Sequence, residues 1–330
     1  MKRKLGHEPD EDIFNIFCYD LKTLDSLINM INDYDKKKLP PKRQRRYYPS
    51  KMDLLPDILS DLEELNKMTG LKKFKIQLLE QILFFIQDID EKIMLHTVLE
   101  GPPGTGKTTV AGILSKIYAK IGIFKKVKFN VLKRSDLISE YLGGTTIKTT
   151  KALDRCKKGV VLIDEAYSIG STSGEDIYAK ECVDTINQYL TENYDKIVCI
   201  IAGYKQELDR CFFSINPGLR RRFPWTFTID NYSSNELAEI FYKIVKEKEW
   251  ETTCKESDII DIINKKHNLF TGNGGDITSI VEKSMINNCR KNFGKEQKYT
   301  IELDDFIHAM NIFEDNKKGK LNNVPYGMYN

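Results

Sequence analysis

The run Gly101–Pro102–Pro103–Gly104–Thr105–Gly106–Lys107–Thr108 has the residue types and spacing to hold a chain of phosphates. Glycines without a Cβ let the backbone reach φ > 0 and bring its N–H groups close to anionic oxygens. The lysine supplies a cation for β- and γ-phosphates, the threonine hydroxyl can ligate Mg²⁺, and a helix beginning at Gly106 would add its positive end. The context fits, because the apolar run Met94–Leu99 precedes the loop and the helix-like segment Thr109–Ile121 follows it. The chain is therefore expected to bind a nucleoside triphosphate.

A second constellation lies downstream. Gly159–Ile163 is a β-branched apolar run that ends in the adjacent carboxylates Asp164 and Glu165. It reads as a buried parallel strand with acids at its C-terminal end, the edge where open α/β sheets take ligands. Asp164 is expected to join Thr108 in holding Mg²⁺. Glu165, pointing the other way along the pleat, is expected to act as general base toward water. Two acids with different tasks imply hydrolysis as well as binding.

The elements that must position these groups can be read from the pattern. Helices are expected at Leu54–Lys67, Lys72–Gln87 and Glu175–Asn193, and strands at Val127–Leu132, Ile197–Ala202 and Trp225–Ile229. Alternation of this kind gives an α/β fold with a parallel sheet and helices on both faces. After Asp230 the pattern turns helical at Ser234–Glu249, Asp258–Lys266, Asp276–Asn292 and Asp304–Phe313. The expected organisation is an accessory segment over 1–50, a nucleotide-binding domain over 51–230, a helical lid over 231–313 and a flexible tail over 314–330.

Composition bounds the partners. The 51 basic and 48 acidic side chains among 330 residues leave a net charge of +3, so no global field draws the chain onto nucleic acid or an anionic membrane. One local exception is the basic run Lys36–Arg46, set among prolines. It reads as a nuclear-import signal, a nucleic-acid contact or a solvated connector. No apolar stretch is long enough for a bilayer and the opening residues lack a signal-peptide core, so a cytoplasmic location is expected, that of the host if the chain is viral. The 7 cysteines include no CxxC pair, which points to reduced thiols and no structural zinc.

The ordered series GPPGTGKT, SEYLGG, VVLIDEAYSIG, IIAGYKQEL, NPGLRRRF and GNGGDI resembles AAA+ ATPases. The likeness is narrower to the CbbX/CfxQ group, which includes red-type Rubisco activase and members from giant DNA viruses. It runs from about Leu62 to Phe313. It implies a P-loop NTPase with a five-stranded core, a small helical lid, ATP and Mg²⁺ as ligands, and a ring, usually of six subunits. By resemblance alone, Arg222 is the favoured arginine finger and Arg220 the runner-up. Tyr204 falls at the sensor position and Gly70–Leu71 where the family contacts adenine. Tyr141–Leu142 falls where it carries a pore loop, although a helix cap with a core tyrosine fits the same residues. The lid motif Gly272–Asp276 has glycine where a sensing arginine is expected.

These readings converge on an ATP-hydrolysing homo-oligomer that remodels a protein client. The alternatives are a nucleic-acid motor or loader using Lys36–Arg46, and a slow nucleotide-dependent scaffold.

Overall fold

In the computed structural model the described residues are 15–34, 48–87, 94–121, 128–141, 143–170, 176–294 and 299–322. They divide into two units. The first takes in the described residues up to Glu100 together with Lys107–Ile229; the second joins Gly101–Gly106 to the described residues from Asp230 onward.

The first unit is built on short strands that alternate with helices. In chain order its elements are α1 (Leu24–Asp33), α2 (Leu55–Asn66), α3 (Lys72–Ile86), β1 (Thr97–Glu100), α4 (Lys107–Lys120), β2 (Phe129–Leu132), α5 (Arg134–Leu137) and α6 (Thr145–Arg155). They continue with β3 (Gly159–Ile163), α7 (Ile177–Glu192), β4 (Ile197–Gly203), α8 (Lys205–Leu208) and β5 (Trp225–Thr228). The strands form a five-stranded sheet in the order β2-β3-β4-β1-β5, with every pairing parallel.

Because side chains alternate across a strand, each central strand feeds two cores. Leu99, Val160, Leu162, Val198 and Ile200 join the apolar faces of α1, α2, α3 and α4. Their neighbours Val98, Val161, Ile163, Cys199 and Ile201 join those of α6 and α7. Near-continuous apolar strands are what a sheet covered on both faces requires.

Helix α1 corrects the expected boundary at residue 50. Its stripe of Leu24, Leu27, Ile28, Met30 and Ile31 is buried in the same core as α2, α3 and the sheet, so this part of the N-terminal segment is not accessory. Thr23 opens the helix with a capping box, accepting from Ser26 N–H at 3.2 Å. The basic run Lys36–Arg46 lies outside the described residues.

The second unit contains α9 (Ser234–Glu247), β6 (Glu251–Thr252), α10 (Glu256–Lys265), α11 (Asn273–Lys291), β7 (Thr300–Ile301) and α12 (Leu303–Asn322) around a core of its own. The short parallel pair β6–β7 carries too few residues to show a period-2 pattern, and it falls between the expected helices. Helix α12 also overturns the expectation of a flexible tail from residue 314. Beyond Phe313 it continues on polar contacts: Glu314 pairs with Lys266 at 2.6 Å, and Lys317 donates to Thr271 at 3.0 Å and pairs with Asp276 at 3.2 Å. No helix of the described residues is long and apolar enough to cross a membrane.

One buried group ties stability to pH. His96, 0% exposed just before β1, accepts a hydrogen bond from Cys199 N–H at 3.1 Å through Nδ1. Burial pushes its pKa down from 6.5 to about 4, with the Leu190 backbone acting weakly the other way. The native state therefore holds fewer protons than the unfolded chain between those values, and stability falls as pH drops through that window. We expect a loss of roughly 2 kcal/mol from this residue between pH 7 and pH 5. Urea unfolding at the two pH values checks it, with His96→Asn, which retains an acceptor but does not titrate, showing the smaller difference.

Candidate functional site

The loop from Gly101 to Gly106 is fixed through its carbonyls. Pro102 C=O accepts from Thr105 Oγ1 at 2.8 Å, Pro103 C=O from Asn273 Nδ2 at 3.1 Å, Gly104 C=O from Gly274 N–H at 3.1 Å, and Thr105 C=O from the Tyr232 hydroxyl at 3.2 Å. A planar trans peptide points its N–H opposite its C=O. The N–H groups of Gly104, Thr105 and Gly106 thus turn away from these partners, and among the described residues they donate no hydrogen bond. Gly104 at φ 68° and Gly106 at φ 81° make the required turns. The result is a short row of backbone donors suited to an anion.

Immediately after the loop, α4 begins with Lys107 and Thr108. Thr108 Oγ1 donates to Asp164 Oδ2 at 2.8 Å, joining two positions 56 residues apart. A hydroxyl and a carboxylate oxygen this close are hard ligands of the kind Mg²⁺ takes. Burial pushes the Lys107 ammonium below its ordinary pKa, while Asp164 and Glu165 pull it back up.

Glu165 differs from its expected geometry. Strand β3 ends at Ile163, so Glu165 is not on the pleat: it takes φ 50° at the head of a 3₁₀ turn, Ala166–Ile169. Left-handed backbone at a glutamate costs about 1 kcal/mol or more and is found where function fixes a side chain. Its own N–H donates to Asp164 Oδ1 at 3.0 Å, and its side chain is exposed.

Tyr204 follows β4 and stacks on Tyr167 with ring centroids 5.1 Å apart. The Lys107 ammonium lies 5.1 Å from the Tyr204 ring centroid. Burial, hydrogen bonding to Tyr204 and the Glu165 charge hold the Tyr167 phenol well above its ordinary pKa, so it stays protonated as a donor. Tyr167 was not foreseen as a site residue, although it lies inside the VVLIDEAYSIG motif.

Residues 97–231 match the ATPase family associated with various cellular activities (AAA). A cfxQ-like protein of Acanthamoeba polyphaga mimivirus is 36% identical over 288 residues, 86% of this chain and 71% of that protein. Stage V sporulation protein K of Bacillus subtilis is 32% identical over 242 residues, 69% of this chain and 74% of that one. The chain belongs to the AAA ATPase family, in its cfxQ-like group. The ESX-3 secretion system protein EccA3 of Mycobacterium tuberculosis (strain ATCC 25618 / H37Rv) is 33% identical over 57% of this chain, which spans 32% of EccA3. Among solved structures, the FIGL-1 AAA domain in complex with ADP superposes with a TM-score of 0.53 at 18% identity, covering 77% of this chain and 87% of that one. A Thermotoga maritima RuvB mutant gives 0.54 at 18%, covering 77% and 73%. These last two show the fold alone.

Within this AAA chain the other expected site residues are distributed unevenly. Arg220 is tied to Asp209 at 3.2 Å and lies over the Phe213 ring at 4.4 Å. Arg222 is half-buried and its Nε finds no acceptor among the described residues. Gly70 and Leu71 both take positive φ, 68° and 59°, and the Leu71 side chain packs in the core. Leu142 lies outside the described residues.

Tyr141 sits between α5 and α6, two residues before Gly143 at φ 76°. It is 77% exposed, which removes the reading as a core tyrosine. Tyr141→Ala should therefore leave no cavity and change stability by less than about 0.5 kcal/mol. A thermal melt of the variant checks this; a drop of several degrees would mean the ring is packed.

Proposed function

We propose that the chain binds ATP at Gly101–Thr108, hydrolyses it, and uses the cycle to remodel a protein client as a homo-oligomeric ring. The observation that carries the reading is the 2.8 Å bond between Thr108 Oγ1 and Asp164 Oδ2, which brings the two expected Mg²⁺ ligands together. The N–H groups of Gly104, Thr105 and Gly106, which donate to no partner among the described residues, support the phosphate assignment. Family membership supports ATPase chemistry.

In this reading the loop N–H groups and Lys107 bind and orient the β- and γ-phosphates. Thr108 and Asp164 would hold Mg²⁺, which neutralises charge on the phosphate oxygens. Glu165 takes the proton from the attacking water. Arg222 reaches the nucleotide of a neighbouring subunit; Arg220 is tied down within its own chain. Tyr141, exposed on a glycine-flanked turn, grips polypeptide without sequence preference.

Glu165→Gln should keep ATP affinity while slowing turnover by roughly 10²–10⁴, the usual worth of a general base. Wild-type turnover in that variant would place the base elsewhere. Arg222→Ala should retain binding by the single subunit but lose roughly 10³–10⁵ in assembly turnover. Mixing it with Lys107→Ala subunits should restore part of the rate, because each supplies what the other lacks across an interface. No recovery would mean that Arg222 serves its own subunit or only the fold. Running the same assay with an unfolded protein and with DNA separates the clients: stimulation by the protein alone is expected.

A further inference from the structure

Asn273 is 1% exposed and opens α11 at φ 49°. Its amide touches three groups at once. Nδ2 donates to Pro103 C=O and to Asn231 Oδ1, each at 3.1 Å, and Oδ1 accepts from Tyr232 N–H at 3.1 Å. The next residue, Gly274, gives its N–H to Gly104 C=O at 3.1 Å. Tyr232, whose backbone Asn273 holds, sends its hydroxyl to Thr105 C=O at 3.2 Å. One buried amide thus organises the contacts to three consecutive loop carbonyls.

The surrounding glycines have a steric reason. A Cβ on Gly104 would lie 2.0 Å from Gly272 C=O, and one on Gly274 would lie 2.9 Å from Gly104 C=O. Loop and motif meet backbone to backbone, an approach that side chains at these positions would block.

We propose that Asn273 is a positioning residue for the phosphate loop. Its amide and the adjoining Gly274 N–H hold the carbonyl edge of the loop, which keeps the N–H edge turned toward phosphate. Linkage makes the effect reciprocal: a unit that holds the loop ready for phosphate is itself held more tightly when phosphate binds. Nucleotide binding is thereby transmitted to α11 through the loop backbone, without a cation from α11 on the nucleotide. The inference rests on the assignment of Gly101–Thr108 as an ATP site.

The test uses the full chain, a fluorescent ATP analogue and hydrogen exchange. Asn273→Gly removes the amide while tolerating the positive φ. The comparator is Asn288→Ala, a buried amide of the same unit that bonds Thr300 C=O at 2.8 Å and Asp305 Oδ2 at 3.1 Å, away from the loop. Asn273→Gly should weaken ATP binding about tenfold or more, since buried partners are left unpaired, and Asn288→Ala should bind as wild type. In the wild type, ATP should slow exchange at the Tyr232 and Gly274 amides. That measurement needs no variant, so it decides the matter even if Asn273→Gly does not fold. Wild-type affinity in Asn273→Gly, equal weakening in Asn288→Ala, or ATP binding with no change at those amides overturns the proposal. A wild-type chain that does not bind ATP overturns the site assignment itself.

Discussion

The loop carbonyls are the constraint from which the rest of the site follows. Peptide planarity makes each N–H the opposite of its neighbouring C=O, so engaging the carbonyls of Pro103, Gly104 and Thr105 orients the next three N–H groups. A loop left to itself would lose that arrangement to conformational entropy, at about 1–2 kcal/mol per residue. Partners drawn from Tyr232, Asn273 and Gly274 replace that freedom with fixed geometry. Charge then completes the site: Lys107 and the Thr108–Asp164 pair sit at the first turn of α4, where the loop ends.

The sheet performs the matching task for the acidic side. Strand β3 is apolar on both faces and buried throughout, so its first polar position, Asp164, falls where the strand leaves the core. The pairing of β3 with β4 fixes Ile163 beside Ile201, and the chain then delivers Tyr204 from β4 close to Tyr167 from the turn after β3. The Tyr204 ring in turn lies against the Lys107 ammonium, 5.1 Å from its centroid.

Much of this was legible in the sequence because the signals are local. The glycine-rich loop, the β-branched run before Asp164 and the helical periodicities each sit within a few residues, and the five-stranded parallel sheet and the Thr108–Asp164 pairing follow from them. What was not legible depends on distant partners. Asn273 bonds a loop carbonyl 170 residues away, and its glycine neighbours read only as a missing arginine. The left-handed turn at Glu165 ends the pleat one residue before the acids, which periodicity cannot show. Helix α12 runs on past Phe313 through ion pairs that carry no apolar period.

A loop that recognises phosphates through its backbone should bind them without a base, and competition between ligands separates the two. The full chain is saturated with a fluorescent ATP analogue in Mg²⁺ and titrated with inorganic tripolyphosphate or with adenosine. Tripolyphosphate should displace the analogue, and adenosine should do so far more weakly. Displacement by adenosine with no effect of tripolyphosphate would mean that the loop does not recognise phosphate.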